Sequence, residues 1–156
     1  MKPTAFINTF LLPAVMAGEA FNVNPVVILA QAALESGWGQ SLLSMRYNNY
    51  FGMTGYGKGN RWWPGTTVKP GKSSLAFRTY PAPEDSFMDY ARLLRQVYPL
   101  AANMSAFPKA FAREIAYSRY ISEVNGDDRE AYRQALVSLC SRIERETGLE
   151  SGSKAA

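Results

Sequence analysis

Asn24-Pro25-Val26-Val27-Ile28-Leu29-Ala30-Gln31-Ala32-Ala33-Leu34-Glu35-Ser36-Gly37-Trp38-Gly39 reads as one buried helix that ends on a carboxylate. Asn24 suits the N-cap, and Pro25 suits the first helical position, where its missing N–H leaves nothing unpaired. From Val26 to Leu34 the residues are apolar nearly all round, the mark of a helix enclosed at a domain centre. Gly37 is available for a left-handed turn to end it. Glu35 is thus placed where burial and the negative helix end both oppose ionisation. A carboxyl that keeps its proton is what a general acid requires. No other Asp or Glu occurs until Glu84.

On the N-terminal side, Phe6, Phe10, Val15 and Phe21 fit the first helix of the same domain. Lys2 followed by Ala5 to Ala17 resembles a secretory leader superficially, but Asn8, Thr9 and Pro13 interrupt the apolar stretch. No cleaved signal is expected. Nor is a membrane span, since no run reaches the ~20 apolar residues one needs. On the C-terminal side the composition changes from Tyr47 to Tyr80. Gly52, Gly55, Gly57, Gly59, Gly65 and Gly71 punctuate short pieces, and Leu75 to Tyr80 alternates like a strand. A turn at Lys69-Pro70-Gly71-Lys72 predicts a small β-hairpin. Helical periodicity then returns. Ser86 suits the cap of a helix through Tyr98, a shorter helix covers Ala106 to Ala116, and Gly126-Asp127-Asp128 precedes a last helix through Ile143. The expected fold is mainly α with a small β lobe (α+β), one domain over residues 1–148 and a flexible tail over 149–156.

The 156 residues, 47% hydrophobic and 19% charged, fit one ordinary globular domain. Cys140, the single cysteine, rules out an internal disulfide framework and falls on an apolar helix face, as a small core residue would. The absence of His excludes Ser-His-Asp and Cys-His chemistry and any His-ligated metal. No metal site and no cofactor are expected. Positions 36 to 83 hold Arg46, Lys58, Arg61, Lys69, Lys72 and Arg78 and no acid, a local +6 that leaves −2 for the rest of a +4 chain. Such a middle suits an anionic polymer, either nucleic acid or a cell-wall glycan with its peptide carboxylates, unless it is merely a solubilising surface.

Aromatic residues gather around the candidate acid: Trp38, Tyr47, Tyr50, Phe51, Tyr56, Trp62, Trp63 and Tyr80. Flat rings stack on the apolar faces of sugars, and Tyr hydroxyls or the Asn48 and Asn49 amides bond their rims. The same rings also serve to fill the core of a small lobe, the better reading for Trp38 and Phe51. Trp62 and Trp63 are adjacent, so in an extended piece at most one of them reaches a groove.

Leu29 to Ser41 closely resembles the catalytic helix of family 73 glycoside hydrolases. Asn48-Asn49-Tyr50-Phe51-Gly52 is similar to that family's next motif, and Phe77-Arg78-Thr79-Tyr80 with Asp85-Ser86-Phe87-Met88-Asp89-Tyr90 to its third. The resemblance runs from about Phe6 to Ile143. It implies a lysozyme-like helical domain whose β-hairpin lobe flanks a cleft, and cleavage of β-1,4 bonds in peptidoglycan as an endo-β-N-acetylglucosaminidase. Glu35 then corresponds to the general acid and Tyr120, in Ser118-Arg119-Tyr120-Ile121-Ser122, to a tyrosine near the scissile bond. Asn49, Tyr50, Trp62, Trp63, Tyr80 and Tyr117 are the expected substrate-binding residues. Many members carry a second Glu in the β lobe after a Thr-Thr pair; here Thr66-Thr67 is followed by Val68, and the lobe holds no carboxylate.

Two carboxylates are the usual requirement for glycoside cleavage, which leaves three routes open here. The sugar's own 2-acetamido group can attack the anomeric carbon. A muramic 6-hydroxyl can attack instead, as in a single-acid lytic transglycosylase. Or a distant carboxylate, Glu84, Asp85 or Glu123, folds in beside the cleft; Asp85 and Asp89 read better as groups that cap or pin a helix. A muramidase and a non-catalytic glycan-binding module are the other readings. The expected partner is the peptidoglycan strand, with no nucleic acid, and the chain is expected to be a monomer. It would act in the periplasm or cell wall, as a phage-borne enzyme, one delivered by a secretion system, or an excised domain.

Overall fold

The computed structural model describes residues 1–121 and 128–151. Its described helices are α1 (Pro3–Phe21), α2 (Pro25–Ser36), α3 (Leu42–Tyr47), α4 (Pro83–Val97), α5 (Pro99–Asn103), α6 (Pro108–Ala116) and α7 (Arg129–Thr147). A hairpin of β1 (Thr67–Val68) and β2 (Phe77–Arg78) lies between α3 and α4, so the fold is mainly helical with a small β lobe.

Helix α2 occupies the centre, packed against α1, α4 and α7. Val26 through Ala33 are all buried, which is why this helix has no polar stripe. Its ends follow local chemistry. The Asn24 side chain accepts from the Val26 N–H at 3.0 Å, and Gly37 closes the helix at φ 56°, a left-handed turn that glycine adopts without a Cβ clash. Asn24 also donates to the Ser105 carbonyl at 2.9 Å and to Ser151 Oγ at 2.9 Å. One cap residue thereby ties the start of α2 to the turn before α6 and to the chain beyond α7. The expected tail from 149 is corrected at its start: Leu149 packs against the core and Ser151 is buried.

Helix α1 needs a second correction. Its 19 residues are long and apolar enough, by length and composition alone, to cross a membrane. Phe6, Ile7, Phe10, Ala14 and Ala17 are nevertheless buried against α2 and α4, so in this fold its apolar face forms part of the core. Helix α4 begins at Pro83 rather than at a Ser86 cap, and Ser86 is buried inside it. Asp128 caps α7 by accepting from the Glu130 and Ala131 N–H groups. Gly126 and Asp127 lie outside the described residues.

The hairpin pairs Thr67 with Arg78 and Val68 with Phe77. The strand expected over 75–80 shortens to two residues because its other backbone bonds scatter over several segments instead of forming a ladder: a bridge from Thr54 to Phe77, the Gly55 N–H to the Ala76 carbonyl, and the Arg78, Thr79 and Tyr80 N–H groups to the Met53, Thr66 and Tyr47 carbonyls. So short a hairpin is marginal alone and needs anchoring. Asp89 of α4 provides it. Fully buried, it accepts from Arg78 at 2.7 Å, Tyr80 at 2.6 Å, Asn60 at 2.9 Å and Arg92 at 2.8 Å. Burial opposes its ionisation, but the bonds from Tyr80, Asn60 and Arg92 and the Arg78 charge outweigh that and hold it below its ordinary value.

Candidate active site

Glu35 lies half-buried at the C-terminal end of α2. Its Oε1 accepts from the Tyr132 hydroxyl at 2.7 Å. Tyr132, on α7, accepts in turn from Gln31 Nε2 at 2.9 Å. Gln31 is fully buried and sits one turn before Glu35, on the same helix face. Across from them the 49–57 segment approaches. Gly52 takes φ 64°, and a Cβ there would lie 3.9 Å from Glu35 Oε2.

These groups open onto a cleft of about 580 Å³. Glu35 and Tyr132 come from the helical body. Phe51, Gly52, Met53, Thr54, Tyr56, Gly57 and Arg78 come from the β lobe, Leu93 and Tyr98 from α4 and its end, and Arg119, Tyr120 and Ile121 from the segment after α6. Arg78 shapes the lobe side from within: its Nε and guanidinium N–H groups donate to the Thr54 and Tyr56 carbonyls at 2.9 and 2.6 Å. Among the described lining residues Glu35 is the sole carboxylate. Glu84 and Asp85 sit in the first turn of α4 and do not line the cleft, and Glu123 lies outside the described residues.

Tyr120 does line it. Its ring packs edge-on to Tyr90 and Tyr98, with centroids 6.3 and 5.7 Å apart. Its hydroxyl is buried and has no hydrogen-bond partner among the described residues. Burial first, then the Glu35 charge, raises its phenol well above the ordinary value, so it stays a protonated donor.

The other expected site residues are placed elsewhere, each with a physical reason. Asn49 is buried; its amide donates to the Met53 and Arg78 carbonyls and its oxygen accepts from the Phe51 and Met53 N–H groups, so it shapes the loop that presents Gly52. Tyr50 is buried on Phe10, centroids 4.7 Å apart. Trp63 is buried beneath the Arg78 guanidinium, 3.8 Å from the ring centre, and donates to the Thr66 carbonyl. Tyr80 is buried on Asp89. Trp62 packs edge-on to Phe21, and Tyr117 bonds Glu130 on a separate surface groove with Lys109, Arg113 and Arg133. None of these six lines the cleft. Sequence reasoning missed Gln31, Tyr132 and Arg119. Gln31 did carry a signal, as the lone polar side chain inside an apolar run and one turn from Glu35. Tyr132 carried none, being 97 residues from Glu35.

The family model described as mannosyl-glycoprotein endo-beta-N-acetylglucosaminidase matches residues 13–145. The chain is similar to the peptidoglycan hydrolase FlgJ of Vibrio parahaemolyticus, 33% identical over 143 residues, covering 82% of this chain and 45% of that protein. It thus spans less than half the length of that relative. Among solved structures, the glycoside hydrolase domain of Salmonella typhimurium FlgJ matches at TM-score 0.68 and 28% identity, over 95% of this chain and 92% of that one. The catalytic domain of the Listeria monocytogenes autolysin Auto matches at TM-score 0.70 and 26% identity, over 94% and 88%.

Proposed function

The chain belongs to the glucosaminidase family, and from that premise we propose that it cleaves β-1,4 bonds of peptidoglycan glycan strands as an endo-β-N-acetylglucosaminidase. The observation that carries this reading is the one carboxylate among the described lining residues of a cleft, bonded through Oε1 to Tyr132 and beside a tyrosine hydroxyl that has no hydrogen-bond partner among the described residues. Glu35 gives its proton to the departing glycosidic oxygen as the bond to the anomeric carbon breaks. With Glu35 the one carboxylate among the described lining residues, the 2-acetamido group of the sugar attacks that carbon, and water then hydrolyses the intermediate while returning a proton to Glu35. Tyr120 offers its O–H to the sugar at this point. The aromatic and apolar lining of Phe51, Tyr56, Leu93 and Tyr98 suits the faces of a glycan chain. On such a substrate it would act in the periplasm or cell wall. It is proposed to act as a monomer.

The same lone carboxylate favours a second reading, a single-acid lytic transglycosylase in which a muramic 6-hydroxyl attacks. Analysis of the new ends released from purified sacculi separates the two. Free N-acetylglucosamine reducing ends are expected. Free N-acetylmuramic acid ends indicate a muramidase, 1,6-anhydro ends a transglycosylase, and binding without any released fragment a non-catalytic module; each overturns the first reading.

A further inference from the structure

We infer that Gln31 and Tyr132 together dictate which oxygen of Glu35 delivers the proton, and that this oxygen is Oε2, on the side of Gly52. The inference rests on Glu35 being the general acid. A tyrosine hydroxyl has one hydrogen to give. Gln31 Nε2 donates to the Tyr132 oxygen at 2.9 Å, which directs that hydrogen away from Gln31 and towards Glu35 Oε1 at 2.7 Å. When Glu35 is protonated, Oε1 is therefore the acceptor of a hydrogen bond and the proton resides on Oε2. That oxygen is the one closest to Gly52, where the β lobe meets the helical body and the cleft opens.

The arrangement also acts during the reaction. As the bond between the anomeric carbon and the glycosidic oxygen breaks, its electron pair stays on that oxygen and the Oε2 proton joins it. Glu35 is left as a carboxylate. The Tyr132 bond to Oε1 then becomes charge-assisted and strengthens, an interaction worth more in the transition state than before it. Tyr132 is thus a positioning residue for Glu35, and Gln31 a positioning residue for Tyr132. The location of Gln31 supports this role: a fully buried amide in the most apolar helix of the domain, with its Nε2 spent on Tyr132.

Among the described residues, the titratable and charged groups around the Glu35 carboxyl include Tyr90 of α4, Tyr120 and Arg119 after α6, Tyr132 of α7 and, across the cleft, Arg78 of β2. Burial keeps Tyr90 and Tyr120 protonated well above the range of the test, so neither changes charge during it.

The experiment compares the full chain with Tyr132→Phe, Gln31→Met and Glu35→Gln on soluble peptidoglycan glycan fragments, measuring kcat, KM, the pH–rate profile and thermal melting. Removing a donor to the carboxylate lets the acid hold its proton to higher pH. Tyr132→Phe is expected to lower kcat about tenfold at little change in KM and to move the alkaline limb of the profile up by about one pH unit. Gln31→Met, which leaves the Tyr132 hydroxyl in place, is expected to move it the same way by less, and carries the test should Tyr132→Phe not fold. An unmoved limb in folded variants means the pair is merely structural and overturns the inference. A limb moved downward means that Tyr132 accepts from Glu35 and the proton sits on Oε1, which overturns it equally. If Glu35→Gln keeps full activity, the acid assignment itself is what has failed.

Discussion

Gly52 lacks a side chain for a backbone reason, and it does so beside the candidate acid. Its φ of 64° places it in the left-handed region, and a Cβ would stand 3.9 Å from Glu35 Oε2. Gly52→Ala is expected to cost about 1–2 kcal/mol in denaturant unfolding, because an L side chain is strained in that region, and to lower turnover several-fold as the loop facing Glu35 shifts to relieve the strain. Tyr120 makes the opposite case. Its hydroxyl has no partner among the described residues, so Tyr120→Phe removes a buried polar atom without breaking a described bond. Melting temperature should hold or rise while turnover falls; a fall in stability as large as the fall in activity would make Tyr120 a packing residue. The sequence made Glu35 legible because one acid stood at the end of an apolar helix. It did not reveal the burial of Tyr50 and Trp63, because a ring that stacks on a sugar and a ring that stacks on Phe10 or Arg78 are the same letter, nor the buried bonds of Asn49 and of Tyr80 to Asp89, which only folding assembles.

At the scale of elements, the helices follow their caps and periodicity closely, as α2 does between Asn24 and Gly37. The β lobe does not, because its structure depends on α4 rather than on its own strands. Four donors from residues 60, 78, 80 and 92 converge on Asp89, and only folding brings them together. Asp89→Asn leaves Arg78 buried without its counter-charge and is expected to destabilise by about 3–5 kcal/mol in denaturant unfolding. The acid dependence follows from the same geometry. Asp89 ionises at lower pH in the folded chain than its ordinary 3.8, so its contribution is complete above that value and is lost as pH falls below it. Acid unfolding monitored by circular dichroism should therefore lose its component in that window in Asp89→Asn, while an unchanged acid limb would assign the pinning to other groups.

Across the whole molecule, the cleft forms where the lobe carried by residues 49–80 closes against a helical body whose α2 and α7 are distant in sequence. The Tyr132–Glu35 bond crosses that distance, which is why no local pattern announced it. The charge asymmetry persists with one amendment: Arg78 is buried on Asp89, leaving Arg46, Lys58, Arg61, Lys69 and Lys72 exposed. Pelleting with purified sacculi should weaken several-fold between low and molar salt, because exposed charges are screened within a few ångströms there. Salt-independent pelleting would assign binding to the apolar lining instead. The proposed chemistry turns on Glu35 as the proton donor. Turbidity clearance of purified sacculi by the wild-type chain and by Glu35→Gln, matched for folded protein, tests it most directly, since the amide keeps the shape and lacks the transferable proton. A loss of about 10²–10⁴-fold in rate is expected; equal clearance by the two proteins would mean that another group supplies the proton.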